Sequence, residues 1–289
     1  MLNSFTTSEF MTERFETVKR KSESYGKPFL KWAGGKSQMI PDILKYVPSN
    51  FNKYIEPFIG GGAIYFSLGH TNSIISDLNE ELIICYGQVK QNVFEVLRIL
   101  KTYKNDESFF YKIRAINPES LSFAERAARL IYLNKTCFNG LYRVNKKGEF
   151  NVPYCKKPGN FLFPERLIAA SKQLESTTIL YADYKEVLKE YAKKGDLIFL
   201  DPPYQPVGKN ADFKRYTKEF FYEKDQIEIA NVFAGLVKKG CHVLLTNSDH
   251  PMIIDLFKNF TIEVINTKRM ISSNPKSRIG KDIIVLGGV

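Results

Sequence analysis

The sequence contains few of the residues that build metal sites and disulfide frameworks. Its 289 residues include four cysteines and three histidines. The cysteines are scattered without a CxxC pair, which is typical of reduced thiols in a cytosolic protein. The histidines are too few and too far apart along the chain to indicate a metal centre. We therefore expect a cytoplasmic protein that holds no metal ion.

Long apolar runs are also missing. No stretch approaches the ~18 consecutive apolar residues that a membrane-spanning helix needs. The opening MLNSFTTSEF has no basic segment followed by an apolar run, so it does not resemble a signal peptide. We expect no membrane association.

Acidic residues are in deficit. The chain has 31 acidic residues against 42 lysines and arginines, which gives a net charge of +11. Such an excess favours a polyanionic partner, either nucleic acid or an acidic membrane face. A basic protein without such a partner is the alternative that charge alone leaves open.

Short apolar runs alternate with helical segments from residue 53 onward. The runs YIEPFI, SIISD, TTILYAD, DLIFLD and HVLLTNSD predict strands. Segments such as DQIEIANVFAGLVKKG predict the helices between them, and Gly195 and Gly240 stand where helix C-caps are expected. The alternation predicts an α/β fold with a mostly parallel, doubly wound sheet. FTIEVINTKR and KDIIVLGGV follow each other without a helix and predict an antiparallel edge pair.

The pattern also predicts how the chain is divided. Residues 1–26 are polar and predict a weakly ordered N-terminal extension. Residues 81–165 break the alternation, because two helical stretches are followed by an irregular one, and they predict an inserted, mainly helical subdomain. Residues 27–80 and 166–289 then form the sheet domain. Open sheets of this kind bind ligands beyond the carboxyl ends of their strands, which is where we look for function.

A glycine-rich turn follows the first predicted strand. EPFIGGGAIYF places glycines between a strand and a helix, where the backbone can approach a ligand closely. Asp77, at the end of the next strand, is suitably placed to accept hydrogen bonds from ribose hydroxyls. A nicotinamide site is disfavoured, since Tyr65 occupies the position of the last glycine of G-x-G-x-x-G. The alternative interpretation, a tight turn that binds no ligand, is not excluded at this point.

A second glycine motif lies near the start of the predicted sheet domain. Ala33-Gly34-Gly35-Lys36-Ser37 is not a P-loop, because Leu30 stands where its first glycine should be. Two cations, Lys31 and Lys36, nevertheless flank the single tryptophan, Trp32, and indicate a functional segment. The alternative is that Trp32 is a core residue, as tryptophan often is.

The strand LIFL ends at Asp201-Pro202-Pro203-Tyr204. The prolines fix the backbone and have no N–H, so we expect free carbonyl acceptors beside the Asp201 carboxylate. Tyr204 adds a stacking surface. Together these groups suit a planar ring whose amino hydrogens both point at oxygens, which raises the nitrogen lone pair out of the ring plane. Positioning and electrostatics would then promote attack on a cationic methyl donor. An ordinary proline turn is the alternative.

The motifs together resemble a known family. KWAGGK (31–36), EPFIGGGAIYF (56–66), SDLN (76–79) and LDPPY (200–204), in this order, are similar to the amino-group DNA adenine methyltransferases that use S-adenosylmethionine. FNGLYRVNKKGEFNVPY (138–154) resembles the recognition loop of Dam-type enzymes that act on GATC. The resemblance runs from about residue 27 to the C-terminus, and the N-terminal extension departs from the shorter Dam pattern.

The resemblance implies roles for particular positions. The catalytic residues would be Asp201, Pro202 and Tyr204. The positions matching the cofactor pocket are Trp32, Lys36, Phe58, Gly60, Gly62, Asp77, Asp183 and Asp201. The positions matching base contacts are Lys31, Leu141, Arg143 and Pro153, while Phe138 and Asn139 match residues that fill the gap left by an extruded base. The family swings its target adenine out of the duplex, as a base-modifying site requires.

The predicted recognition segment is strongly basic, which agrees with a DNA partner. Aromatic residues are interleaved with six cations that face a single acid, Glu149: Lys135, Arg143, Lys146, Lys147, Lys156 and Lys157. A second basic run spans 268–281. Such mixtures suit phosphate contacts, and one arginine can read a guanine edge. A solvated basic loop is the alternative.

These observations predict an enzyme, monomeric or weakly dimeric, that methylates the adenine amino group in duplex DNA, within GATC. S-adenosyl-L-methionine is the expected cofactor, and a companion restriction endonuclease is a possible functional partner. Two alternatives stay open. One is an RNA or protein-amide methyltransferase, since these use related motifs ending in Pro-Pro-aromatic. The other is a non-catalytic DNA-binding regulator.

Overall fold

A computed structural model describes residues 27–32, 34–145, 147–204, 222–268 and 279–289 of the chain. The predicted N-terminal extension, Lys146 and most of the second basic run lie outside the described residues. Within them, no helix is both long enough and apolar enough to cross a lipid bilayer.

The described strands form a single mixed sheet of seven. They are β1 (Tyr54–Glu56), β2 (Ser73–Asp77), β3 (Thr177–Tyr181), β4 (Leu197–Leu200), β5 (His242–Ser248), β6 (Thr261–Lys268) and β7 (Ile279–Gly287). Their order is β3-β2-β1-β4-β5-β7-β6. Strands β1 to β5 pair in parallel, whereas β7 runs antiparallel to both β5 and β6. The predicted parallel sheet and its antiparallel edge are both confirmed.

Helices cover the sheet and connect its strands. They are α1 (Ile40–Leu44), α2 (Ala63–Leu68), α3 (Glu80–Lys101), α4 (Glu107–Ala115), α5 (Phe123–Thr136), α6 (Pro164–Leu174), α7 (Tyr184–Tyr191), α8 (Glu223–Lys238) and α9 (Pro251–Leu256). Short 3₁₀ turns span Lys36–Gln38, Pro118–Ser120 and Phe138–Gly140. The sequence predicted α2, α3, α5, α7 and α8, whose apolar residues recur at helical spacing.

Alternating residues of the strands face two separate cores, as the pleat of a sheet requires. Tyr54, Leu197 and Phe199 belong to the core that α1 to α3, α5 and α6 cover. Ile55 and Ile198 belong to the core that α7, α8 and α9 cover. Because both faces of the central strands are buried, the doubly wound architecture predicted from the sequence is confirmed.

The predicted recognition segment begins with a helix that also belongs to the sheet's own core. Helix α3 starts after Asn79, whose side chain accepts a hydrogen bond from the Leu82 N–H at 3.0 Å. The helix contacts β2 and β3 as well as α5 and α6. Helix α5 starts at a capping box formed by Ser122 and Glu125. After α5 the chain runs irregularly to residue 163, and this stretch contains every residue predicted to contact bases except Lys31.

The two glycines predicted as helix C-caps have different outcomes. Gly240 follows the C-cap Lys239 of α8 with φ +87°, as predicted. The prediction for Gly195 is wrong, because α7 ends at Tyr191 and its C-cap is Ala192. Gly195 lies in the turn that leads into β4, with φ +82°, and its N–H donates to the Gly240 carbonyl at 2.9 Å. Glycine adopts this left-handed conformation readily, which suits Gly195 to the turn before β4 rather than to a helix C-cap.

Candidate active site

The two strongest sequence motifs start from neighbouring strands. Strands β1 and β4 pair in parallel at the centre of the sheet, and the strand order runs away from them in opposite directions. The helix after β1 packs in one core and the helix after β4 packs in the other. Such a reversal opens a crevice beyond the carboxyl ends of the two strands. The glycine turn at 60–62 and the motif at 201–204 both begin at this crevice.

The glycine turn requires glycine at two positions. Gly60 and Gly62 have φ of +45° and +71°, values that side chains with a Cβ rarely adopt. A Cβ on Gly62 would lie 2.8 Å from the Tyr86 hydroxyl, and one on Gly60 would lie 2.9 Å from Cδ1 of Trp32. The Tyr86 hydroxyl also donates to the Gly60 carbonyl at 3.0 Å. The backbone of the turn is therefore packed closely against Tyr86 and Trp32, and Gly60 and Gly62 have no room for a side chain of their own.

Asp77 connects the end of β2 to the glycine turn. Its carboxylate accepts hydrogen bonds from the Gly60 N–H at 3.1 Å and from the Asn79 N–H at 3.0 Å. Burial raises the pKa of Asp77 to about 6, although the backbone donors oppose that rise. Asp77 is thus a semi-buried acceptor beside the turn, and its predicted contact with ribose hydroxyls stays a prediction.

The Asp201 carboxylate is held from two sides. The Lys36 ammonium lies 2.6 Å from it and also donates to the Gly34 carbonyl at 2.6 Å. The Thr246 hydroxyl donates to Oδ1 of Asp201 at 2.7 Å. Lys36 is buried, and its Nζ lies 4.7 Å from the centre of the Tyr204 ring. The structure therefore brings the KWAGGK motif and the LDPPY motif into direct contact.

The prolines of the motif offer fewer free carbonyls than the sequence predicted. The Pro203 carbonyl accepts a hydrogen bond from the side-chain amide of Gln226 at 2.9 Å. Gln226 lies on α8 and is fully buried. The prediction of a free acceptor at Pro203 is therefore wrong, because a buried donor from the covering helix already occupies it. Pro202 is buried and Pro203 is exposed at the crevice.

Glu56 is a buried acid that the sequence analysis did not single out. It is the last residue of β1, only 2% exposed, and accepts from the Tyr54 hydroxyl at 2.7 Å and the Tyr65 N–H at 3.1 Å. Burial raises its pKa to about 8, and the nearby Asp201 charge contributes to the rise. Its signal was an acid inside the apolar run YIEPFI, shortly before the glycine turn.

Asn134 holds together two parts of the predicted DNA-contacting set. This fully buried side chain accepts from the Lys31 N–H at 2.8 Å and donates to the Lys31 carbonyl at 2.7 Å. It also donates to the Gly140 carbonyl at 3.2 Å. Lys31 and the turn at 138–141 are therefore fixed relative to each other. Sequence reasoning missed Asn134 because a polar residue inside a helix leaves no distinctive pattern.

The turn after α5 exposes the residues predicted to fill the gap in the duplex. Phe138 is 51% exposed, although its ring is large and apolar. Asn139 has φ +56°, the only left-handed non-glycine residue among those described. The Phe138 N–H donates to the Pro153 carbonyl at 2.9 Å, which joins the two ends of the recognition stretch. Leu141 is partly buried beside them.

Arg143 lies at the base of a short hairpin. Val144 and Phe150 form an antiparallel bridge, and the Asn145 side chain closes the turn between them. The Arg143 guanidinium is exposed, and its Nε donates to the Asn151 side chain at 2.8 Å. A second guanidinium nitrogen of Arg143 donates to the Asn151 carbonyl at 3.5 Å, so Asn151 orients this exposed side chain through two contacts.

Trp32 connects the recognition stretch to the glycine turn. Its ring stacks on Tyr142 with centroids 4.9 Å apart and planes 17° apart, while its other edge lies against Gly60 and Gly61. Trp32 is partly buried and packs against the core on one face of the sheet. Through Trp32, the segment predicted to bind the cofactor and the segment predicted to bind DNA are therefore in contact.

The remaining predicted cofactor residues lie where the neighbouring strands end. The Phe58 ring lies 5.1 Å from the Tyr184 ring, beyond β1. Asp183 follows β3 and caps α7 by accepting from the Lys185 N–H at 2.8 Å, which gives it a structural role of its own. Leu78 and Tyr181 are 41% and 59% exposed at the ends of β2 and β3. Their exposed apolar surface suits a flat ring.

A group of cations surrounds one aromatic ring next to Lys31. Lys135 Nζ and the Arg166 guanidinium carbon lie 5.9 Å and 5.0 Å from the centre of the Phe163 ring. Burial lowers the pKa of Lys135 to about 8, and the charges of Arg166 and Lys31 lower it further. Within the described ranges, no carboxylate forms an ion pair with any of the three.

Comparison with known proteins identifies the family. The profile of the D12 class N6 adenine-specific DNA methyltransferases matches residues 32–271. The Type II methyltransferase M.MjaIII of Methanocaldococcus jannaschii is 40% identical over 275 residues, covering 87% of this chain and 95% of that protein. The Type II methyltransferase M1.LlaDCHI of Lactococcus lactis subsp. cremoris is 37% identical, covering 87% and 92%. The DNA adenine methylase of Escherichia coli (strain K12) is 30% identical, covering 86% and 91%.

The chain belongs to the D12 class of N6 adenine-specific DNA methyltransferases. The family resemblance and the enzyme class predicted from the sequence are confirmed. Membership favours DNA over RNA or a protein amide as the substrate, and it favours an enzyme over a non-catalytic regulator. The net charge of +11 therefore has its explanation in a DNA substrate.

Proposed function

We propose that the enzyme takes its methyl group from S-adenosyl-L-methionine and transfers it to N6 of an adenine swung out of duplex DNA, within GATC. The contact between Lys36 and Asp201 at 2.6 Å carries this proposal. It joins the predicted donor pocket to the predicted catalytic motif at one edge of the sheet.

The residues at the crevice fit the proposed cofactor. The backbone of the turn at Gly60 and Gly62 bears no side chain, and the Asp77 carboxylate beside it suits ribose hydroxyls. Exposed Leu78 and Tyr181 suit the flat adenine ring. When bound, the cofactor supplies an electrophilic methyl group. Trp32, Lys36, Phe58, Asp183 and Asp201 complete the proposed pocket.

The DPPY motif then orients the target amine. The Asp201 carboxylate and the Pro202 carbonyl would each accept one amino hydrogen, while the adenine lies on the Tyr204 ring. Two acceptors favour a pyramidal nitrogen, so its lone pair leaves the ring plane and points at the methyl group. The extra proton leaves the nitrogen after transfer, and no base has to remove it beforehand. Preorganised acceptors of this kind typically change rates by about 10²–10³-fold.

The recognition stretch supports the proposed target. Phe138 and Asn139 are exposed and would occupy the space that the adenine vacates. Lys31, Leu141, Arg143 and Pro153 are proposed to contact bases, because they match the loop of Dam-type enzymes that act on GATC. The Type II names of two relatives support a companion restriction endonuclease as a functional partner.

The site preference is tested with nucleases that differ in sensitivity to methylated GATC. We expect DNA from cells expressing the enzyme to resist the nuclease that methylated adenine blocks and to be cut by the nuclease that requires it. Cells expressing Asp201→Ala provide the matched control, whose DNA should behave in the opposite way. If both DNAs behave alike while total N6-methyladenine rises with the wild type, the target sequence is not GATC.

A further inference from the structure

A chain of buried polar side chains lies behind the DPPY motif. Gln226, Thr246 and Asn247 are each 0% exposed. Gln226 belongs to α8, whereas Thr246 and Asn247 belong to β5, the strand next to β4. Apolar residues would fill these positions at lower cost, since buried polar groups are tolerated only when they are hydrogen-bonded. Their presence at the back of the motif therefore calls for a function.

In this series of side chains, only one assignment of donors and acceptors is possible. The Ser248 N–H, which can only donate, bonds to Oδ1 of Asn247 at 2.8 Å. The Asn247 amide nitrogen therefore donates to Oε1 of Gln226 at 2.9 Å, and the Gln226 amide nitrogen donates to the Pro203 carbonyl at 2.9 Å. A carbonyl can only accept, so both ends fix the orientation of both amides.

The neighbouring residue of β5 holds the other end of the motif. Thr246 donates to Oδ1 of Asp201 at 2.7 Å, and the Lys36 ammonium donates to the same carboxylate at 2.6 Å. The motif is thus attached at its carboxylate and at its second proline, on either side of Pro202.

We propose that Thr246, Gln226 and Asn247 are positioning residues for methyl transfer. They hold the Asp201 carboxylate and the Pro202 carbonyl at the separation that two hydrogens on one nitrogen require. This proposal rests on the proposed function of the motif. A misplacement of about 1 Å at a reacting centre can cost about 10²-fold in rate, so the attachment points matter even though they do not touch the substrate.

The test removes each attachment and measures the chemical step alone. Thr246→Val keeps the shape of the side chain and loses the donor, Thr246→Ser restores the donor, and Gln226→Leu releases Pro203. The measured quantities are the single-turnover rate of transfer to a duplex, the Kd values for duplex and cofactor, and the Tm. We expect Thr246→Val to lower the rate by about 10–10²-fold with Kd values within about twofold of wild type. Thr246→Ser should recover most of the rate.

Two control variants remove hydrogen bonds at the amino end of β3, at the edge of the sheet opposite to the strand end that carries the motif. Thr177, at the amino end of β3, is 1% exposed and lies 2.7 Å from the Tyr65 hydroxyl. Gln173 donates to the Tyr65 carbonyl at 3.0 Å. Thr177→Val and Gln173→Leu should lower the Tm and leave the single-turnover rate close to that of the wild type.

The outcomes separate this proposal from the proposed function. If the wild type methylates the duplex and both Thr246→Val and Gln226→Leu do so at its rate, the positioning role is refuted and the function stands. The role is also refuted if Thr246→Ser is no faster than Thr246→Val, or if the control variants slow transfer equally. Should Thr246→Val not fold, Gln226→Leu decides. A wild type that transfers no methyl group refutes both proposals.

Discussion

The motif edge at 201–204 and the recognition stretch at 137–155 hold their functional groups in different ways. At the motif edge, the Asp201 carboxylate is held by both Lys36 and Thr246, each of them buried. In the recognition stretch, Arg143 is exposed and oriented only by Asn151, while Phe138 points its ring towards solvent. The motif edge directly follows the central strand β4. The described part of the recognition stretch contains no regular strand, and isolated β-bridges pair its residues.

This difference agrees with the roles proposed for the two regions. Methyl transfer requires fixed distances to one nitrogen, so its acceptors are best carried by strand ends that two cores enclose. Sequence reading requires donors that reach base edges, so its side chains must leave the protein surface. Changes at the motif edge should therefore affect rate, whereas changes in the recognition stretch should affect choice of sequence or affinity.

The largest effect is expected from Asp201→Ala. In the proposed mechanism the Asp201 carboxylate accepts an amino hydrogen in the transition state, so its loss should lower kcat by at least about 10²–10³-fold. Binding of duplex DNA, measured by fluorescence anisotropy, should stay near the wild-type value. Asp255→Ala, which removes an exposed acid paired with Lys258, is the matched control and should leave both quantities unchanged. If DNA affinity and kcat fall by the same factor in Asp201→Ala, the motif edge does not act on rate alone, and the contrast with the recognition stretch is wrong.

Arg143→Ala should act on specificity instead. If its guanidinium reads a base, the variant should lose about 1–3 kcal/mol of discrimination between the target and a duplex with one changed base pair. The measurement is kcat/KM on both duplexes. Lys147→Ala, an exposed cation on the same hairpin, should weaken both duplexes alike. If Arg143→Ala behaves as Lys147→Ala does, Arg143 contacts phosphate.

Glu56→Gln tests how burial at the end of β1 changes the pKa of an acid and, through it, the stability of the fold. The pKa of Glu56 in the folded protein is about 8 and lies above its ordinary value of 4.5, so its stabilising effect is complete below pH 4.5 and is lost as pH rises towards 8. The Tm of Glu56→Gln should therefore rise relative to wild type between pH 5 and pH 8.5. A difference that does not change with pH would contradict the assigned burial effect.

The smallest effect is expected at Lys135. If this cation contacts a phosphate, Lys135→Gln should reduce the slope of log K against log[salt] by about 0.9, equally for target and non-target duplexes. The pKa of Lys135 is about 8, so wild-type affinity should fall from pH 7 to pH 9 more steeply than that of the variant. If the slope of log K against log[salt] is the same for Lys135→Gln and the wild type, Lys135 does not contact DNA phosphate.

The sequence was informative where a local pattern determines the structure. Alternating apolar runs predicted all seven strands, and the glycines of EPFIGGG predicted a turn that proved to have two positive φ values. Asp77 and Asp201 were predicted as acceptors because Asp77 ends one apolar run and Asp201 directly follows another. Their neighbours along the chain were enough to mark them.

What the sequence did not reveal depends on contacts between distant segments. Gln226 reaches Pro203 across 23 positions, and Asn134 reaches Lys31 across 103. An amide inside an amphipathic helix has the same sequence pattern whether it faces water or a backbone carbonyl. The expected free carbonyl at Pro203 was therefore wrong for a reason that only the packing of α8 on the sheet could show.

The most direct test of this account measures where a labelled methyl group goes. The purified enzyme is incubated with labelled S-adenosyl-L-methionine and, separately, with duplex DNA containing GATC, the same duplex lacking adenine in that site, RNA of the same sequence, and a protein mixture. We expect label in N6-methyladenine from the first duplex alone. Label on RNA, on protein or on another base, with none on that adenine, would contradict the account.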